Sequence, residues 1–232
     1  MKKKMTVMLP IYITVLGVFI IGAYGGSRAI TVLSENSPVA ERACVVIDAG
    51  HGGEDGGAIS CTGVPESKLN LEIALCLEDM LHLLGVDTYM IRSTDRSVYT
   101  QGNTIAARKA SDLKERVRII NDLEPALMLS IHQNYFTDGR YSGPQVFYKN
   151  DPASKVLADQ MQEILSTTLL PGSNRQEKQA EGIYLMEHIN CTGLLIECGF
   201  LSNPDEEAML RDKNYQKKLC AAIGTLTAEY LT

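Results

Sequence analysis

The chain has no tryptophan, and among its 232 residues there are only four phenylalanines, four histidines and eight prolines. None of its six cysteines pairs as CxxC, which argues against a cysteine metal site or a dithiol redox motif. There is no internal repeat and no low-complexity segment, and at 45% hydrophobic and 22% charged the composition is that of a globular protein. Beyond residue 27 no apolar run is long enough to cross a bilayer, which excludes a multi-span membrane protein. A basic excess is also missing. Residues 43–232 hold 17 Lys/Arg against 26 Asp/Glu, a net charge of −9 that would repel nucleic-acid phosphates.

What is present begins with an address. Lys2, Lys3 and Lys4 precede an uncharged, Ile/Val/Leu-rich stretch from Met5 to Ser27. This is the pattern of a signal peptide or membrane anchor over residues 1–27. Ala23-Tyr24-Gly25 offers a small-x-small cleavage pattern, but an uncleaved anchor is favoured. The positive-inside rule then puts the remainder outside the cytoplasmic membrane, either anchored or secreted. Residues 28–42, with Ser34, Glu35, Asn36, Ser37 and Pro38 together, read as a linker. Residues 43–232 are expected to form one domain. Export and an even cysteine count invite a disulfide reading. Cys44, Cys198 and Cys220, however, sit within apolar runs, as small hydrophobes do.

Within the domain, strand and helix patterns alternate. Short apolar runs at 44–47, 86–91, 126–131 and 193–198 predict strands, and 143–148 reads as a further one. Leu69, Ile73, Leu77, Met80, Leu81 and Leu84 recur at helical steps before Gly85. Helices are also expected over 113–123, 155–169, 204–210 and 215–231, while 93–110 reads as an irregular polar stretch. The expected class is α/β: three layers, with a twisted, mostly parallel sheet covered by helices on both faces. In such sheets ligands bind beyond the carboxyl ends of the strands.

Chemistry-bearing residues sit at those ends. The first strand is followed by Asp48-Ala49-Gly50-His51-Gly52-Gly53, the third by His132-Gln133-Asn134, and the run 194–196 by Glu197-Cys198-Gly199. Glu66, at the start of the first long helix, can return to the His51 side. Two imidazoles and a carboxylate from distant segments suit a catalytic zinc site, with the fourth position left for water. A further carboxylate can move the proton. His82, in a helix, and His188, in a polar loop, are read as non-ligands. The blander readings are a half-buried histidine, a helix-capping glutamate and a glycine turn that cradles phosphate. The turn does not fit GxGxxG, and Glu54 and Asp55 would repel phosphate.

The segment Val46-Ile47-Asp48-Ala49-Gly50-His51-Gly52-Gly53-Glu54-Asp55-Gly56-Gly57-Ala58 resembles the opening motif of the zinc-dependent N-acetylmuramoyl-L-alanine amidases (Amidase_3). The resemblance continues through Glu66 and Leu69-Asn70-Leu71, Ser130-Ile131-His132-Gln133-Asn134, and Ile196-Glu197-Cys198-Gly199-Phe200-Leu201-Ser202-Asn203. It implies one Zn²⁺ per chain, bound by His51, Glu66 and His132, with Glu197 as the catalytic carboxylate. The reaction it implies is hydrolysis of the amide between N-acetylmuramic acid and L-alanine in peptidoglycan. Asn70, Asn134 and Arg116 match family positions of less certain role, orienting ligands or substrate.

Between Arg92 and Arg116 this chain carries more residues than most of the family. That stretch, the short anchor and the segments 182–185 and 190–192 resemble the CwlD-type spore-cortex amidases of endospore formers. Those enzymes act in cortex maturation leading to muramic-δ-lactam, which places them between the forespore and mother-cell membranes. No wall-binding repeats and no site-plugging helix are evident, so targeting is expected from the anchor, the catalytic face or an activating protein partner. Two other classes stay open: a zinc peptidase cutting within stem peptides, and a non-catalytic wall-binding module.

Overall fold

The computed structural model describes residues 44–232. The expected membrane segment (1–27) and linker (28–42) lie outside the described residues. Among the described residues no helix is long and apolar enough to cross a membrane.

Six strands form one sheet: β1 (Val45–Ala49), β2 (Thr88–Met90), β3 (Leu127–Asn134), β4 (Gln145–Tyr148), β5 (Lys178–Gln179) and β6 (Thr192–Phe200). Their order is β2-β1-β3-β6-β4-β5. The pairs β1–β2, β1–β3 and β3–β6 are parallel, β4 runs antiparallel to β6, and β5 is parallel to β4. The amino end of β4 therefore lies at the same sheet edge as the carboxyl ends of β1, β3 and β6. The last strand in sequence, β6, occupies an interior position between β3 and β4.

Alternation along the strands divides the core in two. On one face Val45, Ile47, Leu127, Leu129, Ile131, Leu194 and Ile196 pack against three long helices. These are α1 (Glu66–Leu83), α3 (Pro152–Leu169) and α6 (Lys213–Tyr230). On the other face Val46, Met128 and Leu195 meet Ile120 of α2 (Ile105–Leu123) and Leu185 and Met186 of the short α4 (Tyr184–His188). The residues that continue this second face toward the carboxyl edge are polar: Asp48, Ser130, His132 and Glu197. Helix α5 (Pro204–Arg211) follows β6, N-capped by the Asn203 side chain.

The α/β class and the helix-covered, mostly parallel sheet are as expected; two expectations are corrected, and β5 is a strand for which there was none. Helix α2 begins at Ile105, inside the stretch read as irregular. Its first turns are polar or exposed, so no apolar period marks them; the Thr104 hydroxyl, which accepts from Ala107 N at 3.2 Å, sets the start. His188 closes helix α4 rather than lying in a loop, with its Nδ1 donating to the Tyr184 carbonyl at 2.8 Å. Strand β5 is only two exposed residues, too short to carry a pattern. All six cysteines are free thiols.

Candidate metal centre

The loop after β1 is built so that His51 can turn back over the sheet edge. His51 has φ 61°, a left-handed conformation that costs a residue with a Cβ about 1–3 kcal/mol. Arg116 of α2, fully buried, supports that turn. Its guanidinium pairs with Asp48 and donates to the carbonyls of Ala49 (3.1 Å) and His51 (2.7 Å). Asp112 Oδ2 holds Arg116 Nε at 2.7 Å. Buried Arg92 donates to the carbonyls of Ala49 (2.8 Å), Gly50 (3.0 Å) and Ser67 (2.8 Å), tying the turn to the start of α1. Gly50 is required because a Cβ there would collide with the His132 imidazole.

Glu66 is the first residue of α1, where the helix N-terminus favours a negative charge. Its carboxylate is almost fully saturated. Oε1 accepts from His132 Nδ1 (3.0 Å), Asn70 Nδ2 (3.2 Å) and Gln133 N (3.2 Å). Oε2 accepts from Ala58 N (3.0 Å) and lies 3.3 Å from His51 Nε2. Burial opposes ionisation of Glu66, yet the bonds to His132 and His51 hold it well below the usual carboxylate range. Burial also works against the His51 imidazolium, but Glu66 and Asp55 outweigh it and raise that group to about 9. The Asp55 bond is direct, from His51 Nδ1 to Oδ2 at 2.9 Å, and Lys109 Nζ meets the other carboxylate oxygen at 2.7 Å.

One ligand atom each from His51, Glu66 and His132 lies within 4.8 Å of the others. Two imidazoles and one carboxylate, with the imidazole rings 5.0 Å apart, make a donor set suited to zinc. The fourth expected residue is adjacent. Parallel pairing sets Glu197 of β6 directly beside His132 of β3 on the same face, just before the register slips between His132 and Asn134. Glu197 Oε2 is buried with no hydrogen-bond partner among the described residues. Burial pushes Glu197 up to about 7, with Glu66 adding to the rise and the two histidines opposing it.

The weaker candidates fall differently. Asn70 is fully buried and binds Glu66, the Gly50 carbonyl (3.1 Å) and, through its Oδ1, Gln133 Nε2 (3.2 Å). Arg116 holds the His51 turn from beneath rather than lining the open side. The backbone carbonyl of Asn134 accepts from Leu201 N at 2.8 Å, and its side chain is half-buried at the sheet edge. Asp55, Arg92 and Gln133 were not singled out as site residues. Only Asp55 had a usable signal, four residues after a candidate ligand.

The family model described as N-acetylmuramoyl-L-alanine amidase (Amidase_3) matches residues 45–226. The chain belongs to this amidase family. A relative is the germination-specific N-acetylmuramoyl-L-alanine amidase of Bacillus subtilis (strain 168). It is 36% identical over 194 residues, which cover 81% of this amidase and 79% of that one. The structure of the CwlD amidase from Clostridioides difficile in complex with the GerS lipoprotein superposes with a TM-score of 0.78. Identity is 36%, covering 82% of this chain and 98% of that one. The catalytic domain of CwlV from Bacillus (Paenibacillus) polymyxa var. colistinus gives 0.69 at 29% identity, with 82% and 98% coverage. The family resemblance read from the four motifs is thus borne out.

Proposed function

We propose that this amidase cleaves the bond between N-acetylmuramic acid and L-alanine with one zinc ion held by His51, Glu66 and His132, and with Glu197 moving the proton. The carrying observation is the meeting of those three donors beside a half-buried glutamate whose Oε2 is buried and unpartnered among the described residues, at one sheet edge. Zinc bound there supplies a Lewis acid and brings the pKa of a coordinated water to about 7.

Glu197 is poised to accept the proton lost as water attacks the amide carbonyl, and to return it to the leaving L-alanine nitrogen as the C–N bond breaks. Its buried Oε2, free of any hydrogen-bond partner among the described residues, is available for both transfers. Asn70 and Gln133 hold Glu66 in place, and Asp55 fixes the His51 ring and its tautomer. Removing such an outer partner costs about 10- to 100-fold in metal affinity. Asp55→Ala should therefore bind zinc about that much more weakly, as read by competition with a chromophoric chelator. Unchanged affinity would show that His51 needs no orientation.

The similarity to a germination-specific amidase and to CwlD supports a role in the spore cortex, outside the cytoplasmic membrane and before muramic-δ-lactam formation. The CwlD–GerS complex supports an activating protein partner for this chain as well. The test is mass spectrometry of muropeptides after incubating the full chain with peptidoglycan, with and without a zinc chelator. Chelator-sensitive release of peptides beginning with L-alanine, leaving the glycan intact, is expected. Cuts within the stem peptide would mean a peptidase, and activity insensitive to chelation would remove the metal.

A further inference from the structure

The row of side chains that carries His132 and Glu197 does not stop at β6. Antiparallel pairing places Gln145 of β4 opposite Glu197, on the same sheet face and one strand further out. Gln145 is buried, and its Oε1 accepts from Arg175 Nη1 at 2.8 Å. Arg175 is held on two further sides: Nε donates to the Ser142 carbonyl at 2.6 Å, and the guanidinium stacks 4.6 Å from the Phe200 ring centroid. Its Nη2 makes no hydrogen bond with the described residues.

This guanidinium looks into a cavity of about 820 Å³, whose lining also includes Arg140, Tyr141 and Lys178. One carboxylate, Glu177, also lines the cavity but pairs with Lys155 at 3.2 Å, and nearby Glu206 is buried and bonded to Gly143 N and Phe200 N. Arg140 is occupied by Asp138 at 2.7 Å. Arg175 and Lys178 form no salt bridge among the described residues. They lie on a domain of strongly negative net charge, linked to the proposed catalytic carboxylate through Gln145, and the buried Glu206 carboxylate offsets part of the Arg175 charge. Such a wall selects an anion.

Geometry narrows which anion. Gln145 lies one strand spacing of roughly 4.8 Å from Glu197, and Arg175 binds the tip of the Gln145 side chain, so the guanidinium is on the order of 10 Å from that carboxylate. An extended dipeptide spans roughly 7 Å, and a guanidinium–carboxylate contact adds about 3 Å. We infer that this cavity is the leaving-peptide subsite, and that Arg175, with Lys178 beside it, binds the free carboxylate of the residue that follows L-alanine. The inference rests on the proposed amidase reading, in which the leaving amine is released at Glu197.

The test compares two ligands on the full chain: L-alanyl-D-glutamic acid with its side-chain carboxyl amidated, leaving only the α-carboxylate free, and the same dipeptide with that α-carboxylate also converted to the carboxamide. Binding of both is measured by calorimetry, so that no turnover is needed. The matching pair of N-acetylmuramoyl substrates is then assayed for kcat and KM. A charge-assisted fork is expected to favour the acid by about tenfold to a hundredfold, chiefly in KM. Arg175→Gln should abolish that preference while leaving affinity for the amide nearly unchanged, and Arg175→Lys should restore part of it. A role confined to packing would instead weaken acid and amide alike.

Equal binding of the two dipeptides by the unaltered chain would overturn the inference, as would an acid preference that survives Arg175→Gln. These outcomes are distinct from failure of the amidase reading, which would show as no cleavage of either muramoyl substrate whatever the dipeptide affinities.

Discussion

Glu197→Gln is expected to keep one zinc ion per chain and to lose about two to four orders of magnitude in turnover, the usual worth of a positioned acid–base group. The amide has the shape of the carboxylate but cannot take a proton from water or return it to the amine. Turnover on a muramoyl peptide, measured beside metal content, checks this. More than a few per cent of activity would assign the proton to another group.

The same substitution has a thermodynamic signature of opposite sign. Burial raises Glu197 to about 7 from an ordinary 4.5, so the folded metal-free protein holds that proton more tightly than the unfolded chain. The stability this contributes is complete below 4.5 and is lost as pH rises through 7. Above 7 the native state carries a buried charge that the glutamine variant lacks. Without metal, Glu197→Gln should therefore melt higher than the parent at pH 8, and the two should converge toward pH 5. Such a loss of stability is common where a side chain is kept for function.

Arg116→Met should be the most destabilising single change at the site, by about 3–5 kcal/mol, because it strands Asp48 as an uncompensated buried charge. Both side chains are about 2% exposed. Burial disfavours the Asp48 carboxylate, but Arg116 and Ser130 outweigh that and hold its pKa below the ordinary 3.8. The pair is thus intact at neutral pH, and its contribution is lost only in acid, as pH falls below that value. Denaturant unfolding at pH 7 measures the loss. Adding Asp48→Val removes the stranded charge and should recover most of the stability. It should not recover zinc affinity, because the carbonyls of Ala49 and His51 still lack the guanidinium that sets the turn. Recovery of both would mean that Arg116 is an ion-pair partner and nothing more.

The sequence made the outline of this molecule legible where a physical rule leaves few options. Continuous apolar runs such as Val45-Val46-Ile47 identify strands buried on both faces, and their polar continuations identify the edge where ligands bind. His51, His132 and Glu197 follow directly from that, and Glu66 follows from its place at a helix start. The start of α2 was missed because its first two turns carry no apolar stripe: Ile105 is exposed, and only Thr104 marks the boundary. The supports of the site were invisible for a different reason. Asp48–Arg116 and Arg92–Ala49 join residues 68 and 43 positions apart, and no local period encodes such a pairing. The cavity at Arg175 takes Gln145 as part of its lining because β4 runs against β6, a reversal that strand composition does not reveal.

The interior place of β6 bears on when this enzyme can first act. Strand β6 comes last in the chain yet fills the gap between β3 and β4, so it cannot be added late as an edge. Until it is seated, the loop after β1, α1 and β3 can gather His51, Glu66 and His132, but Glu197, the proposed proton carrier, is not yet beside them. Closing the sheet is a long-range, slow kind of step, and here it is also the step that completes the active site. On the proposed assignment a copy whose β6 is not yet seated lacks Glu197 at the site and cannot turn over, so the order of assembly guards against premature hydrolysis.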